Sequence, residues 1–322
     1  MTTIGKYRHL MRCSDANGFF SILAIDHRAN LLADLNKHAK KPLSHQQFTA
    51  FKQEIIQAIV PESTAILTDP AYGIASAIAQ HTISGNHGLL APVEVTNYDL
   101  QPSQRQINFI PQWSVEKIKR IGGDGVKMLL PYHPDDKTLA EKNKHVQRII
   151  DDCATHDIPF FFEPIVFSLN PDQPLSNADL LQIMVEMVKT YANMGVDVLK
   201  LQFPVDAKQS TDAAEWQVAC EAISAACTIP WALLSAGVNY DTFVQQARIA
   251  CQAGASGVIV GRAVWKEVVA LPALPNDERL KFLQSTGKER MAQLTAICRQ
   301  HATPWFNNVE KPQTTHDWFE SY

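Results

Sequence analysis

Short apolar runs recur along the chain, separated by longer stretches with a different rhythm. The runs are "FFSILAID" (19–26), "STAILTD" (63–69), "HGLLAPVE" (87–94), "GVKMLLPY" (125–132), "IPFFFEPIVF" (158–167), "VDVLKLQFP" (196–204), "PWALLSAG" (230–237) and "SGVIVGRA" (256–263). Each is nearly continuous in apolar residues, the pattern of a strand covered on both faces. Between the runs, apolar positions recur about every 3.6 residues, as in "KNKHVQRIIDDCATH" and "NADLLQIMVEMVKTYANMG". In the second of these Asn177 is placed to cap a helix and Gly195 to stop it. The stretch "NDERLKFLQSTGKERMAQLTAICRQH" supplies closing helices after the last run.

Strands of this kind joined by helices make a parallel sheet, and eight such units without a break in composition predict one closed (β/α)₈ barrel, a TIM barrel, with an N-terminal extension over residues 1–302. An open, doubly wound sheet is the alternative arrangement. Residues 303–322 are polar, with Trp305, Phe306, Trp318 and Phe319 interspersed. So many large aromatics predict a tail that docks, on a neighbouring subunit or over the barrel mouth, rather than one that frays.

Charge and composition narrow the partners. A formal net charge of -4 without a dense Lys/Arg stripe argues against nucleic acid, because binding a phosphate backbone needs a basic face. No window approaches the roughly 18–20 apolar residues of a membrane span, so no membrane partner is expected. "FFSILAI" runs into Asp26 and Arg28 without a small-residue cleavage site, and reads as a strand rather than a signal segment. Cysteines 13, 153, 220, 227, 251 and 298 form no C-x-x-C pair, which favours a reducing cytoplasm. The histidines show no metal-binding spacing, although His27 and His133 fall near strand ends. No catalytic metal or cofactor is expected. The glycine-rich "IGGDG" (121–125) lies between a helix and a strand, the wrong order for a phosphate-cradling loop, and reads as a turn.

Catalytic groups in such barrels sit at the C-terminal ends of strands. Asp26 closes the first run with Arg28 two residues on, Lys127 lies in the fourth, Glu163 in the fifth and Lys200 in the sixth. Alone, each has an ordinary reading as a helix cap or a buried ion pair; two lysines and two acids converging on one mouth point to chemistry. Repulsion from Lys127 and desolvation by Val198, Phe161 and Leu129 would favour a neutral Lys200 amine, able to attack a ketone or aldehyde. Glu163 would move the protons that turn a carbinolamine into an iminium, and Asp26 is a second candidate acid or base. The rival reading makes Lys127–Glu163 and Lys200–Asp26 buried ion pairs. Ser235 and Gly237 end the seventh run, and Gly261 and Arg262 the eighth. Loops at these two places often hold phosphate through backbone N–H groups beside a helix N-terminus, with arginine adding a fork of donors.

The chain resembles the class I aldolase family that contains bacterial tagatose 1,6-bisphosphate aldolase and sulfofructosephosphate aldolase. The resemblance runs from about residue 18 to 265 through "LAIDHR", "AILTDPAYG", "GVKMLLPY", "FFFEPIVF", "VDVLKLQFP", "PWALLSAGV" and "AGASGVIVGRAVW". It implies a Schiff-base lysine at Lys200, acid/base groups at Glu163 and Asp26, an assisting lysine at Lys127, and phosphate binding at Ser235, Gly237, Gly261 and Arg262. The family commonly has Gln where this chain has His27, and often Glu where it has Gln202. Both positions lie near the mouth and bear on the far end of the substrate, where Arg28 with His27 would meet an anion.

The expected activity is retro-aldol cleavage of a ketohexose 1-phosphate with a second anionic group, tagatose or fructose 1,6-bisphosphate, to dihydroxyacetone phosphate and a three-carbon aldehyde. A sulfonated substrate, 6-deoxy-6-sulfofructose 1-phosphate, is the alternative, since "FEPIVF" and "AGASG" resemble the sulfosugar branch more closely. A phosphosugar-binding regulator that lost turnover is the second alternative, and a metal-dependent enzyme a third. The aromatic tail and the family lean toward a homo-oligomer.

Overall fold

The computed structural model describes residues 2–95, 97, 99–271, 277–312, 314–320 and 322. Its eight parallel strands are β1 (Phe20–Ile25), β2 (Ala65–Thr68), β3 (Gly88–Pro92), β4 (Gly125–Tyr132), β5 (Phe160–Val166), β6 (Val198–Leu201), β7 (Trp231–Leu234) and β8 (Gly257–Val260). They follow one another around a closed barrel, and β8 pairs with β1. The barrel is the one the sequence predicts, not the open sheet. Each strand lies inside its apolar run. A further element, an antiparallel ribbon of Glu94–Val95 with Asn108–Phe109, rises from the end of β3.

The helix Asn177–Met194 starts where its pattern indicates, but its cap is Ser176, whose hydroxyl accepts from the Asp179 N–H at 3.1 Å. Asn177 is its first helical residue, and its amide oxygen instead accepts from the Asp206 N–H at 2.9 Å. Gly195 ends the helix at φ 102°, a left-handed conformation that favours glycine.

Side chains alternate across each strand, so a run buried on both faces still has an inner and an outer set. On β4, Lys127, Leu129 and Pro131 face the mouth cavity, while Met128 and Leu130 pack against the surrounding helices. On β6, Lys200 shares its face with Val198, and Leu199 and Leu201 face the helices. The barrel interior below the site is filled by Phe20, Ile22, Leu67, Phe161, Val198 and Ile259, with Phe20 and Phe161 edge to face at 5.8 Å. This dry floor makes the polar layer above it a blind pocket rather than a channel.

The helix Ile4–Cys13 closes the opposite end, where Leu10 and Cys13 join the interior cluster. Trp305 completes this plug. It is buried, lies 4.7 Å edge-on to Tyr7, and donates from Nε1 to Ser14 Oγ at 2.9 Å. Docking at the mouth is thus corrected: the tail's anchoring aromatic is at the base, where apolar side chains would otherwise meet water. Trp318 and Phe319 are exposed, and the Tyr322 hydroxyl accepts from the Gly5 N–H at 2.8 Å and donates to Asp157. Among the described residues, no helix is long and apolar enough to cross a membrane.

Candidate active site

The C-terminal ends of the strands surround a cavity of about 320 Å³, within the size range of small-ligand sites. Asp26, His27, Arg28, Lys127, Glu163, Lys200, Gln202, Ser235, Gly261 and Arg262 all line it. Gly237 does not; it stands behind the loop at φ 79°, where an added Cβ would come 3.8 Å from the Arg262 guanidinium. The loop residue that reaches the cavity is Ala236, a non-glycine at φ 45°. Holding an L-residue there costs about 1–2 kcal/mol. Such strain recurs where a loop must present its backbone to a ligand.

At the centre Lys127 Nζ lies 3.0 Å from Asp26 Oδ2, 2.8 Å from Glu94 Oε1 and 3.0 Å from Glu163 Oε2. Glu163 Oε2 is also 2.9 Å from Lys200 Nζ, so one carboxylate oxygen joins both amines. Neither approach to Glu163 Oε2 has hydrogen-bond directionality, so these contacts are ionic. Of the expected ion pairs, Lys127–Glu163 is present and Lys200–Asp26 is not: Lys200 also meets Glu163, and Asp26 pairs with Lys127. Both lysines reach Glu163 because β4 and β6 are the two neighbours of β5 in the ring, while Asp26 follows β1, three strands from either.

The charges follow from these contacts. Burial opposes ionisation of Lys127, but Asp26, Glu163 and Glu94 outweigh it and hold the ammonium well above the ordinary lysine value. Burial likewise works against the Asp26 carboxylate, yet Lys127 and Lys200 keep its pKa far below the usual range. Glu94 behaves oppositely, since burial raises its pKa despite Lys127 and Arg28. Burial, with Arg262 and Lys200 in support and Asp26 opposing, pushes the His27 imidazole down to about 3. His27 is therefore neutral at physiological pH. Its Nδ1 has no protein partner, and its ring packs edge-on to Trp265 at 5.5 Å.

Around this centre lie two ends that carry arginine. Ser235, Ala236, Gly261 and Arg262 form one, at β7 and β8. Gly261 is required by close approach, since a Cβ there would meet the Ala24 carbonyl at 2.9 Å. The helix that follows, Arg262–Trp265, is a single turn, so the loop backbone and Arg262 contribute more here than a long helix dipole. Arg28 and Arg105 form the other end, with Arg28 Nη2 donating to the Glu94 carbonyl at 2.6 Å. Gln202 turns inward, but its Oε1 accepts from the Val166 N–H at 2.9 Å and thereby braces the end of β5.

Glu94 and Arg105 are the charged lining residues that the strand-end reading passed over. The signal for Glu94 was present: Leu90, Pro92 and Glu94 share one parity at the end of the third run. Arg105 carried none, because it reaches the mouth through the ribbon. Among the described residues, no three His, Cys, Asp or Glu side chains form a metal-ligand set.

A (β/α)₈ barrel whose mouth holds a strand-borne lysine beside a carboxylate, flanked by two cationic ends, has the form of an aldolase. Comparison with known proteins agrees with that class. Residues 20–267 match the DeoC/LacD family aldolase profile, and the chain belongs to that family. It is 33% identical to tagatose 1,6-diphosphate aldolase of Listeria monocytogenes serotype 4b, over 98% of this chain and 97% of that protein. It is 31% identical to tagatose 1,6-diphosphate aldolase 1 of Enterococcus faecalis, over 95% and 98%. Among solved structures, fructose-bisphosphate aldolase from Plasmodium falciparum superposes with a TM-score of 0.70 at 11% identity, covering 93% of this chain and 95% of that one. An archaeal fructose 1,6-bisphosphate aldolase gives 0.57 at 16% identity, covering 90% and 99%. The protein is thus an aldolase, a lyase.

Proposed function

We propose that the protein cleaves a ketohexose 1,6-bisphosphate of the tagatose class through a Schiff base on Lys200, giving dihydroxyacetone phosphate and a three-carbon aldehyde phosphate. The observation that carries this reading is the shared Glu163 oxygen, 2.9 Å from Lys200 Nζ and 3.0 Å from Lys127 Nζ. Lys127 keeps its charge, so Glu163 can accept a proton from the Lys200 ammonium while remaining paired. The freed amine attacks C2, and Glu163 returns protons to the carbinolamine oxygen, which leaves as water. The resulting iminium accepts the electron pair of the C3–C4 bond once a base removes the C4 hydroxyl proton. The enamine is then protonated at C3 and hydrolysed. Ser235, Ala236, Gly261 and Arg262 would hold the 1-phosphate, and Arg28 with Arg105 the second anion.

The names of the curated relatives favour a bisphosphate. A second reading follows from "FEPIVF" and "AGASG", which resemble the sulfosugar branch: 6-deoxy-6-sulfofructose 1-phosphate, whose sulfonate monoanion Arg28 and Arg105 would meet without His27, which packs against Gly261 and Trp265 at the other end.

Intact mass after borohydride treatment tests both readings, with tagatose 1,6-bisphosphate, fructose 1,6-bisphosphate, 6-deoxy-6-sulfofructose 1-phosphate and dihydroxyacetone phosphate in turn. The expected result is an adduct that maps to Lys200, with the bisphosphates cleaved faster than the sulfosugar. Faster cleavage of the sulfosugar would move the second reading to the front. Folded protein that forms no adduct with any of them would leave Lys200 as an ion-pair residue.

A further inference from the structure

Three carboxyl groups surround Lys127, and the mechanism above assigns a role to Glu163 alone, leaving the base at C4 unnamed. Glu94 is buried, with a side chain only 3% exposed, and it lines the cavity. Its Oε1 is bound to Lys127, while Oε2 is buried with no protein partner. An acceptor oxygen left unpaired in a dry site costs about 1–3 kcal/mol, so a group held this way is expected to gain a partner in the complex. The other two acids meet the lysines differently. Glu163 Oε2 is shared by two lysines, and Asp26 Oδ2 is bound to Lys127.

Place in the ring also separates the three. The 1-phosphate end is at β7 and β8, Lys200 is on β6 and Glu163 on β5, so a ketose bound through C2 runs its remaining carbons away from β7 toward β3 and the Arg28 end. Glu94 stands on that path, at the end of β3, and Arg28 is tied to its carbonyl. We propose that Glu94 is the group that takes the C4 hydroxyl proton, so that its reach makes it a determinant of which C4 configuration is cleaved. This rests on the Schiff-base reading of Lys200.

In the step, Glu94 Oε2 accepts the proton of the C4 hydroxyl, the C4–O bond becomes the aldehyde carbonyl, and the C3–C4 pair moves to C3 and through the iminium to nitrogen, leaving a neutral enamine. After the aldehyde departs, the proton on Glu94 passes to water. Proton affinity is in keeping with this role. Facing Lys127 from β4, with Asp26 and Arg28 from the end of β1, Glu94 is pushed by burial toward neutrality, while Asp26 is held the other way. A carboxylate whose pKa lies nearer the working pH is the better base.

The test is Glu94→Gln, which keeps the volume and an oxygen for Lys127 but cannot take a proton. Borohydride trapping with dihydroxyacetone phosphate should proceed as in the native protein, and so should deuterium exchange at its hydroxymethyl carbon, which needs the enamine but no C4 hydroxyl. Cleavage of tagatose and fructose 1,6-bisphosphates should fall by about 10²-fold or more, with their ratio altered. Native cleavage rates in the variant would overturn the proposal. Loss of trapping, exchange and cleavage together would overturn it too, by making Glu94 a support for Lys127. If the native protein forms no adduct, the Schiff-base reading fails first, and this proposal with it. Should Glu94→Gln not fold, Glu94→Asp keeps a shorter carboxyl and should shift the acid limb of the kcat–pH profile. An unmoved limb would overturn the assignment.

Discussion

Lys52 and Lys200 are both lysines taken almost entirely out of water, and their surroundings separate structure from chemistry. Lys52 is 0% exposed and pairs with Asp69, donates to the Ile25 carbonyl at 2.9 Å, and sits over the Phe48 ring at 5.3 Å. Asp69 is satisfied in turn by the N–H groups of Ala71 at 3.0 Å and Tyr72 at 2.9 Å. Lys200, 5% exposed, has one carboxylate, and that carboxylate is shared. It faces a cavity, whereas Lys52 lies behind β1 among helix side chains. Burial is common to the two, so burial does not mark the amine we propose to react. An incomplete set of partners opening on a cavity does.

Methionine substitution at each position crosses the comparison and has the largest expected effects. Lys200→Met should abolish borohydride adducts and lower cleavage by on the order of 10⁴- to 10⁶-fold, the range for loss of a covalent nucleophile or its partner. Stability should change little, because Glu163 keeps Lys127. Lys52→Met should do the reverse: it leaves Asp69 buried without its cation, at a cost of about 3–5 kcal/mol. Urea titration read beside activity separates the two. A Lys200→Met protein as destabilised as Lys52→Met would erase the distinction.

A smaller effect is expected at the phosphate end. Arg262 is exposed at the cavity rim, backed by Gly237, and its charge-assisted bonds to an anion are worth about 1.5–3 kcal/mol. Arg262→Gln should therefore raise KM by roughly 10- to 100-fold while Lys200 still forms its adduct at saturating substrate. An unchanged KM would remove Arg262 from the binding site.

These contrasts also explain what could be read in the sequence. The barrel was legible because strands buried on both faces are apolar without interruption, and because Lys127, Glu163 and Lys200 break that pattern at matching depths. Lys52 was not legible, since a lysine in an amphipathic helix looks solvated until the fold places Asp69 beside it. Glu94 lay at the edge of its run and looked like a strand terminus. Its importance comes from Lys127, which is next to it only after β3 and β4 pair through Pro92 and Lys127. Trp305 was legible as an anchor, but neither of the places expected for it, a neighbouring subunit or the mouth, was the base, because nothing local to residues 303–322 says that the N-terminal helix leaves an apolar opening there.

His27 offers the finest distinction, between a neutral polar group and the charged centre next to it. Burial depresses its pKa from 6.5 to about 3, so the unfolded chain binds a proton between those values that the folded protein refuses. The sign follows: the stability associated with a neutral His27 is fully present above pH 6.5 and is lost as pH falls toward 3, at up to about 1.4 kcal/mol per pH unit. Asp26 adds loss of the same sign only below its ordinary value of 3.8, and Glu94, with its pKa raised, acts in the opposite sense. His27→Gln cannot titrate, so the difference between native and variant stabilities from pH 4.5 to 6.5 isolates the imidazole from both carboxyls. Urea midpoints in that interval should fall with pH less steeply in the variant. Equal slopes would mean that His27 protonates in place, and the β8 end of the cavity, where Arg262 already stands, would then carry a second cation at acidic pH.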